Sequence, residues 1–565
     1  MATEEPARAV EPRIEAYRFH EREWDGYEEL YEAFEWEIPQ EFNAATYCCD
    51  RWAEADPDRV AIRAVEAEGE REYTYGDLRA MADRLANHLE SRGIERGDRV
   101  GVSGAQKVEF VAAHLAVWKL GAITVPLSLL FGPDGLGYRL RDSGASAFVA
   151  DAAVLEALRE VRGDCETLDT VLAVDGDSGH GETEFHATIE GESGTFETRE
   201  TDAAEPALLL YTSGTTGPPK GAVHAHRSIL GVLPHHVTTL RNMDLRAGDV
   251  LYTPGEWSWA GPLYGYLLGG LYYGTPIVGD ADPGFDPERT LELVERYDVT
   301  SVAAPTTAYR AVMQVPDAAE RFDLSSLRIA FEGGEALGQS VVEWFEDVVG
   351  DVAVHEGYGQ TEAGIFVGDC EALGVEHEPG HMGKAAPGSE VAVIDPEEPE
   401  RVPDGEIGEI ALRYEDTPTT FLEYWNAPEK TAAVRDGGWH RTGDLGTRRA
   451  DGYLSFHSRK DDVIITSGYR VGPDEIEESL AAHEAVAVAG VIGVPHEERG
   501  EVAKAFVVTA EDHEPGDALR AELQDHVRDR LAKYEYPREL EFVGGLPRTT
   551  TGKVRRQSLR EREGL

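Results

Sequence analysis

The stretch Ala207-Leu-Leu-Leu-Tyr-Thr-Ser-Gly-Thr-Thr-Gly-Pro-Pro-Lys-Gly221 joins a short apolar strand to a loop rich in glycine and threonine. Hydroxyl groups and glycine N–H groups in such a loop can wrap phosphate oxygens, and Lys220 adds a positive charge. The loop is not of the Walker A type, because the lysine is followed by Gly221 rather than by Ser or Thr. An ordinary turn after a strand is the alternative, but an eleven-residue segment as specific as Tyr211 to Gly221 favours phosphate binding.

The sequence on either side of this loop alternates strand and helix patterns. Apolar residues at helical spacing follow Tyr75, and short apolar strands begin at Arg99 and Ala122. A helix is predicted between those strands, over residues 109–120. Because the alternation continues to about residue 393, it predicts an α/β fold with largely parallel sheets.

The last third of the sequence changes character. A β-rich stretch begins near Glu406, and a terminal unit follows with strands over 486–494 and 503–509 and a helix over 516–531. We therefore expect a large N-terminal domain, residues 1–458, made of α/β subdomains and a β-rich subdomain. A small α+β C-terminal domain, residues 459–565, should follow it.

The chain is strongly acidic, with 53 basic and 107 acidic residues and a formal net charge of −54. Only nine of the basic residues are lysine. An acidic surface poor in lysine is typical of salt-adapted cytosolic proteins, because salt screens the self-repulsion. A disordered acidic chain is the alternative, but the acids are spread through regular apolar periodicity. The absence of a basic stripe argues against nucleic acid as the main partner.

Composition also bears on location. The four cysteines show no C-x-x-C spacing, which predicts neither a disulfide framework nor a zinc site. No apolar run approaches the roughly 18 residues of a membrane span, and residues 1–41 lack a signal-peptide pattern. These features predict a cytoplasmic protein.

The phosphate loop resembles the signature of the adenylate-forming superfamily, which contains acyl- and aryl-CoA synthetases, peptide-synthetase adenylation domains and beetle luciferases. Five further stretches resemble this family's motifs in the expected order: Gly334-Glu-Ala-Leu337, Tyr358-Gly-Gln-Thr-Glu362, Arg441-Thr-Gly-Asp-Leu445, residues 458–477 and Pro547-Arg-Thr-Thr-Thr-Gly-Lys553. The overall look is most similar to medium-chain acyl-CoA synthetases. The resemblance covers residues 211 to 553.

This resemblance implies an AMP-forming acid–thiol ligase. A carboxylic acid and ATP would form an acyl-adenylate and pyrophosphate, and the acyl group would pass to coenzyme A, with Mg²⁺ as the metal. Attack of a carboxylate on the α-phosphate joins two anions, so the site must offset charge and hold the reactants in line.

The resemblance assigns catalytic roles to Lys220, Thr361, Glu362 and Lys553, with Glu362 as the Mg²⁺ ligand. The residues implied to contact nucleotide or CoA are Thr212, Ser213, Gly214, Thr215, Thr216, Gly217, Gly334, Glu335, Ala336, Tyr358, Gly359, Gln360, Asp444, Arg459, Gly468 and Arg470. Taken without the resemblance, Glu362 could be a surface acid, Tyr358 a core tyrosine and Lys553 a solvated tail lysine.

The resemblance also implies a specific geometry at Tyr358, Asp444 and Asp461. Tyr358 should offer a flat face to adenine. Asp444, following a glycine, should lie in a tight turn that leaves its carboxylate free for both ribose hydroxyls, although Gly-Asp is also an ordinary turn pair. Asp461 is the implied hinge of a mobile C-terminal domain, whose rotation would exchange Lys553 for a thiol tunnel passing Gly468.

The acyl pocket is predicted from two segments. Small-acid members of the family carry a tryptophan where this chain has Gly359, which should leave space. Trp259, Ala260 and Gly261 should form another wall, although both Trp257 and Trp259 could be plain core residues. We therefore predict an acyl group larger than acetyl: medium-chain, branched or aryl.

Two other functions compete with this hypothesis. The first is an adenylation enzyme that loads a carrier protein in trans; the absence of a carrier domain before Leu565 favours diffusible CoA. The second is a non-catalytic nucleotide-binding regulator, since a fold alone does not establish activity. Retention of Lys220, Glu362, Asp444 and Lys553 argues against it.

Overall fold

The computed structural model describes residues 10–67, 69–176, 178–212, 218–282, 284–334, 336–415, 417–466, 469–496, 499–510, 513–531, 536–549 and 552–565. At Asp461 and Arg470 only the backbone is described. The described chain divides into two compact units. Unit 1 takes residues 10–212, 219–390 and 413–433, and unit 2 takes residues 391–412 and 434–565. The predicted domain boundary at residue 458 stays a prediction.

Unit 1 contains two large sheets. Its strands are β1 Val60–Glu66, β2 Gly69–Thr74, β3 Arg99–Ser103, β4 Ile123–Pro126, β5 Ala147–Asp151, β6 Thr170–Val174, β7 Thr183–Glu184, β8 Pro206–Thr212, β9 Lys220–Ala225, β10 Leu251–Tyr252, β11 Ile277–Asp280, β12 Ser301–Ala303, β13 Ile329–Glu332, β14 Ala353–Gln360, β15 Gly364–Gly368, β16 Lys384–Ala385 and β19 Glu423–Tyr424. One sheet has the order β16-β15-β14-β13-β12-β10-β11-β1-β2, and the other has the order β19-β9-β8-β4-β3-β5-β6-β7. Both sheets are parallel at their centres. The first is antiparallel at both edges, whereas the second is antiparallel at its β19-β9-β8 edge and parallel at its β6-β7 edge.

Helices cover these sheets. They are α1 Tyr27–Ala33, α2 Arg51–Ala55, α3 Tyr75–Ser91, α4 Val108–Lys119, α5 Pro133–Ser143, α6 Leu155–Val161, α7 Phe185–Glu190, α8 Ser228–Thr238, α9 Gly269–Tyr273, α10 Pro287–Arg296, α11 Thr306–Val312, α12 Ala318–Arg321, α13 Gln339–Val348 and α14 Pro428–Ala433. Shorter 3-10 turns occupy Glu15–Glu21, Ala152–Val154, Arg162–Asp164 and Glu371–Leu373, and π-helices occupy Thr46–Asp50 and Gly261–Leu268.

The first long helices follow from their sequences. Thr74 caps α3 by accepting from the Asp77 N–H while the Asp77 carboxylate accepts in return, which fixes the helix start. Leu78, Leu85 and Leu89 then recur on its buried face. Every residue of α4 is buried, as expected for a helix that is apolar on most sides. The predicted α/β class with largely parallel sheets is confirmed.

Unit 2 contains two smaller sheets. Its strands are β17 Val391–Ile394, β18 Gly408–Arg413, β20 Arg435–Asp436, β21 Trp439–Arg448, β22 Leu454–Arg459, β23 Ile464–Thr466, β24 Tyr469–Val471, β25 Val486–His496, β26 Gly500–Thr509 and β27 Glu539–Phe542. The first five form one sheet and the last five form the other. The helices are α15 Pro473–Ala481, α16 Asp517–Arg530 and α17 Arg556–Glu563, with a 3-10 turn at Lys460–Asp462. The β-rich and α+β character predicted here is confirmed.

No helix within the described ranges is both long enough and apolar enough to cross a bilayer.

Candidate active site

The predicted phosphate loop connects two antiparallel strands of unit 1. In the register of β8 and β9, Thr212 lies opposite Lys220, so these two residues stand at the two ends of the loop. The residues between them that carry the predicted phosphate contacts lie outside the described residues: Ser213, Gly214, Thr215, Thr216 and Gly217. The structure therefore fixes the position of Thr212 and Lys220, and the other contacts stay predictions.

The Tyr-Gly-Gln-Thr-Glu motif forms the end of β14 and the turn that follows it. Gln360 is paired with Gly364 on β15, and the Ala363 N–H donates to the Gln360 carbonyl over 3.0 Å. Thr361 and Glu362 thus occupy a tight turn and are half-buried. Gly364 has φ +63°, a left-handed conformation that suits glycine at this turn.

A short segment of unit 1 ties this turn to the lysine strand. The Phe421 N–H donates to the Glu362 carbonyl over 2.7 Å. Four residues later, the Trp425 N–H donates to the Gly221 carbonyl over 2.7 Å. The strand β19 between them pairs with β9. Two motifs that are far apart in the sequence are therefore held by one backbone segment.

Tyr424, on that segment, joins the two predicted catalytic side chains. Its hydroxyl donates to Oε1 of Glu362 over 2.6 Å, and Nζ of Lys220 lies 5.1 Å from the centroid of its ring. Such a distance permits a cation–π interaction. Lys220 and Glu362 are thus brought together. The sequence analysis missed Tyr424, and the only signal for it was a short apolar alternation around residue 423.

A buried histidine lies on the same face of β9 as Lys220. His224 is four residues further along the strand, and side chains at that spacing point to one side. It is fully buried beside Tyr264, with the two ring centroids 5.7 Å apart. Burial lowers the pKa of His224 to about 4, so the imidazole is neutral at neutral pH.

The adenine-side motif is held by two buried carboxylates that the sequence analysis missed. The Gly334 N–H donates to Glu332 Oε1 over 2.7 Å, and the Leu337 N–H donates to Glu356 Oε2 over 3.0 Å. Glu332 and Glu356 are register partners on β13 and β14. Gly334 and Ala336 are exposed, and Glu335 lies outside the described residues. Acids at the ends of apolar strands were the available signal.

Tyr358 is packed as a core residue in this structure. It is buried, and its ring meets that of Phe366 edge-on, with centroids 5.3 Å apart and planes at 80°. This matches the alternative considered from the sequence. Its stacking on adenine stays a prediction.

The close approach of β14 and β15 explains why residue 359 is a glycine. A Cβ atom at this position would lie 2.1 Å from the Gly364 oxygen and 2.5 Å from Cα of Ile365. The expectation that the missing side chain leaves open space is therefore wrong, because the backbone of β15 fills it. Gly359 as a residue that lines the acyl pocket stays a prediction.

The other predicted pocket wall stands at the start of a π-helix. Trp259 and Ala260 are half-buried, and Gly261 is exposed with no atom within 4 Å of a Cβ built on it. The Trp259 ring meets that of Phe131 edge-on, with centroids 6.0 Å apart. Trp257 is buried, so the core alternative fits Trp257 and does not fit Trp259.

In unit 2, Asp444 lies within a strand and its carboxylate is already paired. It belongs to β21, opposite Arg459 on β22, and Nη1 of Arg459 lies 2.9 Å from its Oδ1. The expected tight turn is wrong, because Gly443, with φ +73°, and Asp444 both lie inside the strand Trp439–Arg448. The expected free carboxylate is wrong too. The two predicted ribose contacts, Asp444 and Arg459, are nevertheless neighbours.

A fourth residue that the sequence analysis missed, Glu409, holds this motif. Glu409 on β18 is 2% exposed, accepts from the Gly443 N–H over 3.0 Å and accepts from Nη1 of Arg441 over 2.8 Å. A buried carboxylate needs such partners. The signal was an acid within the apolar stretch 407–412.

Lys553 stands at the end of a small closed loop and is exposed. The Thr549 N–H donates to the Lys553 carbonyl over 2.7 Å, and the Arg555 N–H donates to the Pro547 carbonyl over 2.8 Å. The hinge candidate Asp461 lies in the 3-10 turn Lys460–Asp462. For the CoA contacts, Gly468 lies outside the described residues, and Arg470 has its backbone in β24.

Comparison with known proteins places the chain in a family. The model of the AMP-binding enzyme family matches residues 49–425, and the model of the AMP-binding enzyme C-terminal domain matches residues 475–553. The chain belongs to the AMP-binding enzyme family.

Its relatives define the branch of that family. The mitochondrial acyl-coenzyme A synthetase ACSM4 of Homo sapiens is 35% identical over 538 residues, which are 93% of this chain and 91% of that protein. The crystal structure of the anthranilate CoA ligase AuaEII in complex with anthranoyl-AMP superposes with a TM-score of 0.84 at 30% identity, over 93% of this chain and 98% of that one. ATP-bound MatB from Rhodopseudomonas palustris gives a TM-score of 0.80 at 29% identity, over 92% and 98%. Within the family the chain groups with the acyl-CoA synthetases, AMP-forming ligases that use ATP and coenzyme A.

Proposed function

We propose that the protein activates a carboxylic acid larger than acetate as its acyl-adenylate and then transfers the acyl group to coenzyme A. The observation that carries this proposal is the convergence of Lys220 and Glu362 on Tyr424. A cation and a carboxylate from two separate motifs lie beside one tyrosine, next to the ends of the phosphate loop. That arrangement suits a triphosphate and its counter-ion.

In the first half-reaction an oxygen of the substrate carboxylate attacks the α-phosphorus of ATP. The bond from that phosphorus to the bridging oxygen breaks, and pyrophosphate leaves with the bonding electrons. Lys220 and Thr212 would hold the phosphates at the loop, Thr361 would donate to the α-phosphate, and Lys553 would reach the reacting oxygens.

Glu362 fits a role as a metal ligand, because the hydroxyl of Tyr424 orients its carboxylate. In nucleotide sites Mg²⁺ is usually held by one or two carboxylates together with phosphate oxygens. The bound ion would offset the charge of those phosphates.

In the second half-reaction the thiol of CoA attacks the acyl carbonyl carbon. AMP leaves with the bonding electrons, and the thiol proton passes to a base or to water. Asp461 would act as the hinge that replaces Lys553 by a thiol channel, with Gly468 and Arg470 along it. Asp444 and Arg459 would bind the ribose.

The size of the acyl group is supported by the aromatic corner of Trp259 and Phe131, which offers apolar faces beside the exposed Gly261. The AuaEII structure, named as an anthranilate ligase, gives an aryl acid as a precedent. Medium-chain, branched and aryl acids are therefore the proposed substrates. A cytoplasmic location and adaptation to high salt are proposed from the net charge of −54 and the low lysine content.

The test measures the two half-reactions separately, in high salt, with a series of linear, branched and aromatic acids. We expect acid-dependent pyrophosphate release that needs Mg²⁺ and rises from acetate to larger acids. Lys553→Ala should abolish adenylation and leave thioester formation from supplied acyl-adenylate largely intact, whereas Lys430→Ala, on exposed α14, should change neither.

The outcomes discriminate between the candidate functions. ATP binding without pyrophosphate release in any acid would establish a nucleotide-binding regulator instead. Adenylate formation with transfer only to a phosphopantetheine-bearing carrier protein would establish a carrier-loading enzyme. Survival of both half-reactions in Lys553→Ala would remove that lysine from the mechanism.

A further inference from the structure

Arg556 stands at the start of α17, three residues after Lys553, and binds three carboxylates of unit 2. Its Nε and Nη2 donate to the two carboxylate oxygens of Glu477 over 3.0 and 2.7 Å. Its Nη2 also donates to Oδ1 of Asp474 over 2.6 Å, and its Nη1 donates to Oδ2 of Asp462 over 3.1 Å. All three guanidinium nitrogens of Arg556 therefore donate to a carboxylate.

The three partners come from two different elements. Asp474 and Glu477 lie on α15, while Asp462 ends the 3-10 turn that contains the hinge candidate Asp461. The Arg556 side chain is 12% exposed. A planar, permanently charged fork can bridge such groups, and the point charge of lysine cannot do so in the same geometry.

The loop formed by residues 547–555, called the lysine loop here, directly precedes Arg556. Its two ends are closed by the hydrogen bonds between Thr549 and Lys553 and between Arg555 and Pro547. Val554 and Leu559 pack into an apolar cluster on β25 and β26. The loop is thus fixed to the sheet by apolar contacts on one side and to the hinge turn by Arg556 on the other.

We propose that Arg556 is a positioning residue for Lys553: by binding Asp462 and α15 at once, it makes the lysine loop and the hinge turn move as one body. The inference rests on the proposed function, because it concerns the adenylation role of Lys553. In this role Arg556 acts through its three carboxylate partners rather than through substrate. When it is absent, the loop stays on the sheet through Val554 and Leu559, and α17 keeps a longer, 3.5 Å pair between Nη2 of Arg560 and Oδ1 of Asp462, so the loop is held less firmly relative to residue 462.

The experiment uses the full-length protein and both half-reactions. Arg556→Met should lower the rate of adenylation by about 100-fold, the loss that a misplacement of roughly 1 Å can cause. The loss should fall on kcat rather than on the KM for ATP, and thioester formation from supplied acyl-adenylate should stay within about twofold. Arg556→Lys should recover part of the rate. Arg562→Met, in the same helix but with a 47% exposed side chain, is the matched control and should behave as wild type.

Asp462→Asn keeps the Arg556 pairs on α15 and weakens the contacts of both Arg556 and Arg560 with the hinge turn, so it separates positioning from folding. It should lower adenylation selectively with an unchanged thermal unfolding midpoint. Suppose that Lys553→Ala abolishes adenylation. Wild-type adenylation rates in both Arg556→Met and Asp462→Asn would then overturn the inference. Equal loss of both half-reactions in Asp462→Asn would overturn it as well. If Lys553→Ala itself leaves adenylation intact, the proposed role of Lys553 fails rather than the linkage.

Discussion

The hydroxyl of Tyr424 lies 2.6 Å from Oε1 of Glu362, although the two residues are 62 positions apart in the sequence. The same ring lies beneath Nζ of Lys220. One side chain thus orients the proposed metal ligand and contacts the proposed phosphate-binding cation. The position of each charge in this part of the site depends on the strand β19 that carries the tyrosine.

Replacing Tyr424 by Phe should weaken the use of Mg²⁺. The ring remains over Lys220 and against Phe421, so only the hydrogen bond to the carboxylate is lost. A hydrogen bond to a charged group contributes about 1.5–3 kcal/mol, which predicts a loss of about 10- to 100-fold in adenylation at limiting Mg²⁺. A titration of Mg²⁺ against pyrophosphate release measures it.

Tyr31→Phe is the matched control for this variant, because it also removes one hydroxyl, which donates to the Ser389 carbonyl in unit 1. It should leave the Mg²⁺ dependence unchanged. Identical Mg²⁺ titrations for Tyr424→Phe and wild type would show that the tyrosine does not orient the ligand.

Gly359→Ala should destabilise unit 1, and Gly261→Ala should not. The first adds a methyl group 2.1 Å from a backbone oxygen, whereas the second adds one in open space. Overpacking of this kind costs about 1–3 kcal/mol, against at most about 0.5 kcal/mol at an open position. Denaturant unfolding measures both variants. If Gly261 lines the acyl pocket, its variant should also raise the KM for large acids; equal stability of the two variants would contradict the strand approach.

Acid should destabilise the protein through its buried histidines. His114 on α4 is fully buried, and burial lowers its pKa to about 3. Since the unfolded chain binds a proton near pH 6.5 and the folded one does not, stability is complete above pH 6.5 and is lost as the pH falls towards 3. At pH 5.5 this one group costs about 1.4 kcal/mol.

Comparison of His114→Met with wild type isolates this contribution. Between pH 7.5 and 5.5, the free energy of unfolding of the variant should fall by about 1.4 kcal/mol less than that of wild type. His180→Met, at an exposed position, serves as the control. Parallel pH profiles for all three proteins would mean that His114 takes up a proton without unfolding.

Lowering the salt concentration should destabilise the whole protein. With a net charge of −54, the carboxylates repel one another over a screening length that grows from about 3 Å at 1 M salt to about 10 Å at 0.1 M. We expect the thermal unfolding midpoint to rise steadily with KCl. A midpoint that is the same at 0.1 and 2 M would contradict adaptation to high salt.

Local patterns were enough to predict most of the fold. The apolar residues at helical spacing after Tyr75 predicted α3, and the uninterrupted apolar run from Ala207 predicted β8. These signals act between near neighbours, so the sequence contains them directly. The motif order likewise predicted Lys220 and Glu362 as site residues, and both lie beside Tyr424.

The remainder of the site depends on contacts between distant residues. Nothing near Tyr424 in the sequence indicates Glu362, and nothing near Gly359 indicates that β15 passes within contact distance. The same holds for Asp444, which resembles a turn residue by its neighbours but is placed in a strand by its pairing with Arg459. Strand register decides these three cases, and register is a property of the folded sheet.

The strand pairing of Asp444 with Arg459 has a practical consequence for dissecting the chain. A fragment that stops at residue 458 would end one position before the arginine, so the carboxylate would lose its cation within its own sheet. Nucleotide affinities obtained with such a fragment would reflect an altered form of the predicted ribose site. A truncation that ends after the turn Lys460–Asp462 keeps the ion pair and is therefore better suited to measuring nucleotide affinity.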